Sequence, residues 1–307
     1  MAAEISRNPD SSIGRQALSS FLNHPQIFYT SYLRGPQCAF WGDMTVSATA
    51  RGFLIDLDGT LLEAQNLVPG AAQALAFLKD REVPYRIVTN TTSKPHSAIM
   101  EKIRNHGLDI PPDAVITAPL IGREYLLQRG LTRCYPLVRD SLREDLHGIE
   151  FVEDSPQAVL LGDLGEELNY GALNRGFRFL LDHEIAFITL ARNRYFRGGD
   201  GLCLDVGATV AALEYATTRT AVLIGKPAPE FFLGACQSMG VAPKDTIVIG
   251  DDLEADVGGA IAAGCQGVLV RTGKFRPVQL ENSSVRPDRV LDSLGDLPDL
   301  FCQKEPA

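Results

Sequence analysis

The chain has 307 residues, enough for one large domain or two ordinary ones, and its 45% hydrophobic content supports a sizeable buried core. A formal net charge of −9 excludes a protein built to coat nucleic acid or an anionic membrane, although a few local cations beside a metal could still receive an anion. No stretch approaches the ~20 apolar residues that span a bilayer, and no apolar leader follows a charged start, so the chain reads as cytoplasmic.

Residues 1–43 hold the single tryptophan, Trp41, and scattered aromatics without a sustained helical or strand period. They read as a disordered or dispensable extension; Arg7, Arg15 and Arg34 also leave a transit peptide open, and Met44 an alternative start. From Gly52 the pattern turns to alternating strand and helix. Phe53-Leu-Ile-Asp56 predicts a buried parallel strand, Pro69-Gly70 opens a helix to about Lys79, Tyr85 to Thr89 is a second strand, and Ser97 to His106 a helix closed by Gly107. Ala221–Ile224, Thr246–Ile249 and Gly267–Val270 predict three more strands of the same sheet, separated by helices near Glu230–Met239 and Ala255–Ala263. Between them, about Leu131 to Thr218, Ala158–Leu161 and Ala186–Thr189 read as strands around a helix from Tyr170. The expected fold is therefore α/β: a doubly wound, Rossmann-like parallel-sheet core from residues 44–130 and 219–300, with an inserted α/β cap at 131–218.

Polar clusters follow the predicted core strands: Asp56-Leu-Asp58-Gly59-Thr60, Thr89-Asn90, Lys226-Pro227, and Gly250-Asp251-Asp252 with Asp256. In an open parallel sheet that edge is where ligands bind. Singly, each cluster is an ordinary turn or helix cap; all of them along one edge fit phosphoryl transfer. Such a reaction needs an in-line oxygen nucleophile and charge neutralisation around the phosphoryl group. Asp56 would attack and form an aspartyl-phosphate, while Asp58 would protonate the leaving group and then activate water, its acidity tuned by a neighbouring carboxylate. Gly59 would turn backbone N–H groups toward phosphate, and Thr89, Asn90 and Lys226 would contact its oxygens. Asp56 and Asp251 offer hard oxygen ligands for Mg2+, with Asp252 or Asp256 behind them orienting Lys226 or a metal-bound water.

This constellation resembles the haloacid dehalogenase-like phosphohydrolase superfamily over about residues 50–297. The resemblance implies that Asp58 also gives its backbone carbonyl to the metal. About 30 residues separate Asp58 from Thr89, too few for a cap, whereas more than a hundred separate Thr89 from Lys226, which matches the class with a C2-type cap. Val88-Thr-Asn-Thr-Thr92, Gly201-Leu-Cys-Leu-Asp-Val-Gly207, Ala212-Leu-Glu-Tyr-Ala216, Gly225-Lys-Pro-Ala-Pro-Glu-Phe-Phe232, Ile249-Gly-Asp-Asp252, Asp256-Val-Gly-Gly-Ala260 and Val270-Arg-Thr-Gly-Lys-Phe-Arg276 look like one subgroup of it. That subgroup contains phospholysine phosphohistidine inorganic pyrophosphate phosphatase and haloacid dehalogenase-like hydrolase domain-containing protein 2. Those relatives carry serine where this chain has Asp58, so their substrate range need not carry over.

The implied substrate is a small phosphorylated metabolite, a phosphoamino acid or pyrophosphate. Its selection is expected in the cap, where Arg192, Asn193, Arg194, Tyr195 and Arg197 follow a strand and either reach over the site or form a solvated basic loop. Arg271, Lys274 and Arg276 read as a solvated loop on the core. Relatives pair through the cap, which makes a homodimer the expected partner arrangement. The six cysteines form no CxxC pair and the five histidines no ligand spacing, so neither disulfide staples nor zinc are expected. A non-catalytic phosphate-binding regulatory protein on the same fold is the alternative, but a binder has no need for both nucleophile and acid. A phosphorelay receiver would carry its acceptor aspartate on a middle strand, and a dehalogenase would need neither the metal carboxylates nor Asp58.

Overall fold

The computed structural model describes residues 52–63, 66–197 and 201–301; the expectations for residues 1–43 lie outside them. β1 (Gly52–Asp56) is buried along its whole length. Phe53 and Ile55 enter one apolar layer and Leu54 another, the alternation of a strand covered on both faces. β2 (Leu62–Glu63) and β3 (Asn66–Leu67) pair antiparallel, then α1 (Ala71–Asp80) buries Ala71, Ala74, Leu75 and Leu78 at helical spacing. β4 (Tyr85–Thr89), α2 (His96–Asn105), β5 (Val115–Thr117) and α3 (Ala118–Gln128) follow.

The chain then leaves for a second sheet. Its elements are β6 (Arg133–Leu137), β7 (Glu150–Phe151), β8 (Ala158–Leu161), α4 (Tyr170–Leu180), β9 (Ala186–Thr189), the antiparallel pair β10 (Tyr195–Arg197) and β11 (Leu202–Leu204), α5 (Val206–Thr217) and β12 (Val222–Leu223). It returns through α6 (Pro229–Met239), β13 (Thr246–Gly250), a π-helical turn at Leu253–Gly258 continued by α7 (Gly259–Ala262), β14 (Gln266–Val270), α8 (Pro277–Asn282) and β15 (Arg289–Leu291).

The main sheet has the order β15-β14-β13-β1-β4-β5 and the cap sheet β12-β9-β8-β6-β7, each with every neighbouring pair parallel. The fold is thus α/β, a parallel-sheet core with an inserted cap. In the main sheet the strand order reverses beside β1, and a crevice opens outside the carboxyl ends at such a switch point. Asp56 stands there.

Three features differ from the sequence expectation. Ala221–Ile224, expected in the main sheet, forms β12 and pairs with β9 at the cap edge. An apolar run reveals burial, not the partner strand, so sheet membership was open to error. We propose that the cap runs from near Leu131 to the end of β12. The helix expected from Ala255 begins as a wide π turn. Unanticipated strands at β5, β6, β7 and β15 are short or carry a proline. In β6, Cys134 O accepts from Val152 N and Leu137 O from Gly162 N, so even-numbered backbone faces β7. Pro136 lies beyond the last β7 partner, Cys134, where its missing N–H costs no ladder bond. Among the described residues, no helix is long and apolar enough to cross a membrane.

Candidate active site

Lys226 enters the crevice from the loop before α6 and is 3% exposed. Its Nζ lies 2.5 Å from Asp56 Oδ1 and 2.6 Å from Asp256 Oδ1. Burial alone would pull this ammonium's pKa down, but Asp256 and Asp56 outweigh that and push it up. Asp251, at the end of β13, is 3% exposed and offers an oxygen within 4.8 Å of oxygens on Asp56 and Asp256. Burial drives Asp56 up to about 7 against the pull of Lys226, and burial with Asp56 and Asp256 nearby drives Asp251 up to about 8. Three buried carboxylates thus confront one buried ammonium, an excess of negative charge that a cation would relieve.

Asp56 Oδ2 is buried with no hydrogen-bond partner. Both Asp256 oxygens are engaged, Oδ1 by Lys226 and Oδ2 by Asp252 N at 3.1 Å. Asp256 therefore acts behind Lys226, while Asp56 Oδ2 and Asp251 are the carboxylates with room for a metal. A hard, all-oxygen donor set suits Mg2+. The π turn contributes here: it brings Asp256 back under Asp252 N, while Asp252 Oδ1 caps the turn through Glu254 N and Ala255 N. Burial favours the neutral Asp252, but Lys274 beside it, 3.3 Å from Nζ to Oδ2, holds its pKa below the usual range.

Thr89 ends β4 at 2% exposure, and its hydroxyl lies 2.9 Å from Thr91 Oγ1. Asn90 is a correction to the sequence reading. Its amide does not face open space for phosphate: Nδ2 donates to Lys226 O and Oδ1 accepts from Lys226 N, each at 2.8 Å. Asn90 thus clamps the backbone that presents Lys226. Asp58, half exposed, meets Lys102 Nζ at 2.8 Å and the Thr91 hydroxyl at 3.1 Å rather than a second carboxylate.

Gly59 also takes a different role from the one expected. Its N–H donates to Leu62 O at 2.6 Å and is not available to a ligand. Its φ of 101° and the 2.0 Å gap between an added Cβ and Asp251 Oδ2 are what demand glycine. A Cβ added at Gly273 would meet the same oxygen, also at 2.0 Å, and Lys274 N donates to it at 2.6 Å. Thr272 Oγ1 donates to Gly59 O at 2.5 Å and ties the two loops together. The segment around Lys274, expected to be solvated, is thus part of the site, although Arg271 and Arg276 fit the expectation, the first in an exposed pair with Asp292. The signal was present in Gly273-Lys274, in the loop that follows the buried strand β14.

The cap reaches this cluster through Asn193, whose Oδ1 lies 3.4 Å from Asn90 Nδ2, and through Asp163 N, which donates to Thr92 Oγ1 at 2.9 Å. Arg194 and Tyr195, the expected selectors, are exposed, and Arg192 pairs with Glu214 within the cap. Arg194 contributes its backbone instead, accepting from Asp205 N at 3.2 Å.

Residues 53–152 match the family of haloacid dehalogenase-like hydrolases, and residues 223–297 match the HAD-hydrolase-like family. The chain is 35% identical over 268 residues to phospholysine phosphohistidine inorganic pyrophosphate phosphatase of Homo sapiens, covering 86% of this chain and 97% of that one. It is 38% identical over 260 residues to haloacid dehalogenase-like hydrolase domain-containing protein 2 of Homo sapiens, covering 85% and 99%. The crystal structure of 4-nitrophenylphosphatase from Thermotoga maritima superposes with a TM-score of 0.76 at 31% identity, covering 81% of this chain and 97% of that one. Matches on both halves of the main sheet, and similarity through nearly the whole length of these relatives, place the chain in the haloacid dehalogenase-like hydrolase family, in the capped class of NagD and 4-nitrophenylphosphatase.

Proposed function

We propose that the chain is a Mg2+-dependent phosphohydrolase that works through an aspartyl-phosphate at Asp56. The observation that carries this is the buried, unpartnered Oδ2 of Asp56, held beside Asp251 while Lys226 fixes Oδ1. Asp56, Asp251 and the Asp58 backbone carbonyl would hold the metal, which supplies positive charge to phosphate oxygens when bound. Lys226 would add a second positive charge, aimed by Asn90 and Asp256. Thr89 contributes a hydroxyl at the same edge.

In the first half-reaction a carboxylate oxygen of Asp56 forms a bond to phosphorus. The bond to the leaving oxygen breaks with its electron pair, and Asp58 delivers a proton to that oxygen. In the second, Asp58 takes a proton from water as the water oxygen attacks phosphorus. The Asp56–phosphorus bond breaks, Asp56 recovers its electron pair, and inorganic phosphate leaves.

The substrate class is a small phosphorylated metabolite, a phosphoamino acid or pyrophosphate; phospholysine, phosphohistidine and pyrophosphate stand in the name of one relative. The absence of CxxC pairs and the acidic composition support a cytoplasmic setting. Leu202, Leu204 and Tyr215, exposed on the cap, support pairing of two copies there, which light scattering on the eluted protein tests. The reaction itself is tested with p-nitrophenyl phosphate, with and without Mg2+, on wild type and Asp56→Asn. Mg2+-dependent turnover that the substitution abolishes is expected. Binding of a phosphate analogue with no turnover would instead identify a binding protein on this fold.

A further inference from the structure

Asp58 is half exposed, so packing does little to aim its carboxyl group, yet both oxygens are held. Lys102 Nζ sits 2.8 Å from Oδ1, and the Thr91 hydroxyl donates to Oδ2 at 3.1 Å. With that proton committed, the 2.9 Å contact between Thr91 and Thr89 runs from the Thr89 hydroxyl to Thr91 Oγ1, and Thr91 N returns a bond to Thr89 Oγ1 at 3.1 Å. Lys102 therefore ends a chain that runs through Asp58 and Thr91 to the end of β4.

A lysine in the last turn of a helix ordinarily answers the negative end of the helix dipole. Here it also reaches across to another loop. Ile99, Met100 and Ile103 anchor α2 in the apolar layer that also holds Phe53 and Ile55, which gives the ammonium a rigid base. Asp58 instead stands on a loop after a strand, free to swing into solvent without such a tether. Holding a general acid in line with a leaving group is worth far more to rate than to stability. The pair itself is half in water, so its loss should leave the fold intact.

We propose that Lys102 is a positioning residue: it pins Asp58 so that the carboxyl group meets the leaving oxygen. The proposal rests on the reading of Asp58 as general acid. Asp58 enters the first half-reaction as the carboxylic acid, its proton on Oδ2, the oxygen that Lys102 does not hold. That proton passes to the leaving oxygen as the phosphorus–oxygen bond breaks. The carboxylate left behind makes the two contacts described above, and Lys102 neither gains nor loses a proton.

The test is kcat/KM for ring-substituted phenyl phosphates, from phenyl to p-nitrophenyl, with Mg2+, on wild type, Lys102→Met, Lys102→Arg and Asp58→Asn. This ratio reports the steps through departure of the leaving group. Lys102→Met should lower kcat/KM for phenyl phosphate by roughly tenfold, and for p-nitrophenyl phosphate, which departs without help, by less than about threefold. Lys102→Arg should restore most of the loss, and Lys102→Met added to Asp58→Asn should cost nothing more. Equal losses across the series, or additive losses in the double variant, would overturn the proposal. Failure of the underlying reading looks different: Asp58→Asn itself would lose activity equally for every leaving group, and the role of Lys102 would fall with it.

Discussion

Thr89, at the end of β4 in the core, and Thr189, at the end of β9 in the cap, are both buried threonines that close a strand of a parallel sheet. Their surroundings differ. The Thr189 hydroxyl donates to Ala191 O at 2.7 Å and is satisfied within its own turn. The Thr89 hydroxyl looks toward Thr91 and Asp58, with Asp56, Lys226, Asp251 and Asp256 converging from neighbouring loops. A polar strand end becomes a site when the sheet order brings charged loops beside it. The main sheet reverses its order next to β1, and these charged residues gather there. At the corresponding edge of the cap, Arg194 and Tyr195 turn to solvent and Arg192 pairs with Glu214.

The largest test of this contrast is Lys226→Met. It leaves Asp56 and Asp256 buried with no cation between them, and stranding partners of a buried pair costs roughly 3–5 kcal/mol. A large fall in thermal midpoint, together with loss of turnover, is expected in a melting experiment and assay. A fully stable variant would mean that the core edge is no more constrained than the cap edge.

A smaller effect concerns pH. Without metal, Asp56 and Asp251 are raised from 3.8 to about 7 and about 8. The folded chain then keeps protons that the unfolded chain has lost. Stability from these groups should therefore fall as pH rises across that window. Mg2+ binds the ionised carboxylates, so the thermal shift it produces should be larger at about pH 8.5 than at about pH 5. Equal shifts at both values, read by differential scanning fluorimetry, would remove the carboxylates from the metal site.

The smallest effect should come from the cap. Replacing Arg194 and Tyr195 together with alanine removes two exposed side chains and should leave the melting temperature within about a degree or two. If the loop selects substrate, KM for a bulky phosphate ester should rise a few-fold while kcat stays level, whereas p-nitrophenyl phosphate changes less. A drop in kcat for every substrate would instead give the cap a share in the chemistry and erase the distinction between the two edges.

Much of the main sheet was legible because strands buried on both faces read as apolar runs. The polar residues that end them, such as Asp56 after Phe53-Leu-Ile and Asp251 after Thr246–Gly250, stand out for the same reason. Composition and those runs determine the α/β class, the insertion between Thr89 and Lys226, and the chemistry on offer. Partnership is another matter. Asn90 and Lys226 lie 136 positions apart, and nothing local says that an amide will clasp the lysine's backbone rather than a phosphate. Lys102 reaches Asp58 across 44 positions, and Lys274 looked like a surface charge until Gly273 and Gly59 were seen pressed against Asp251. β12 joined the cap because pairing follows the three-dimensional path of the chain, which an apolar tetrapeptide does not encode. Residue type and local period set which groups stand at strand ends. Which of those groups share a proton, a charge or a close contact depends on distances that only the packed sheets define.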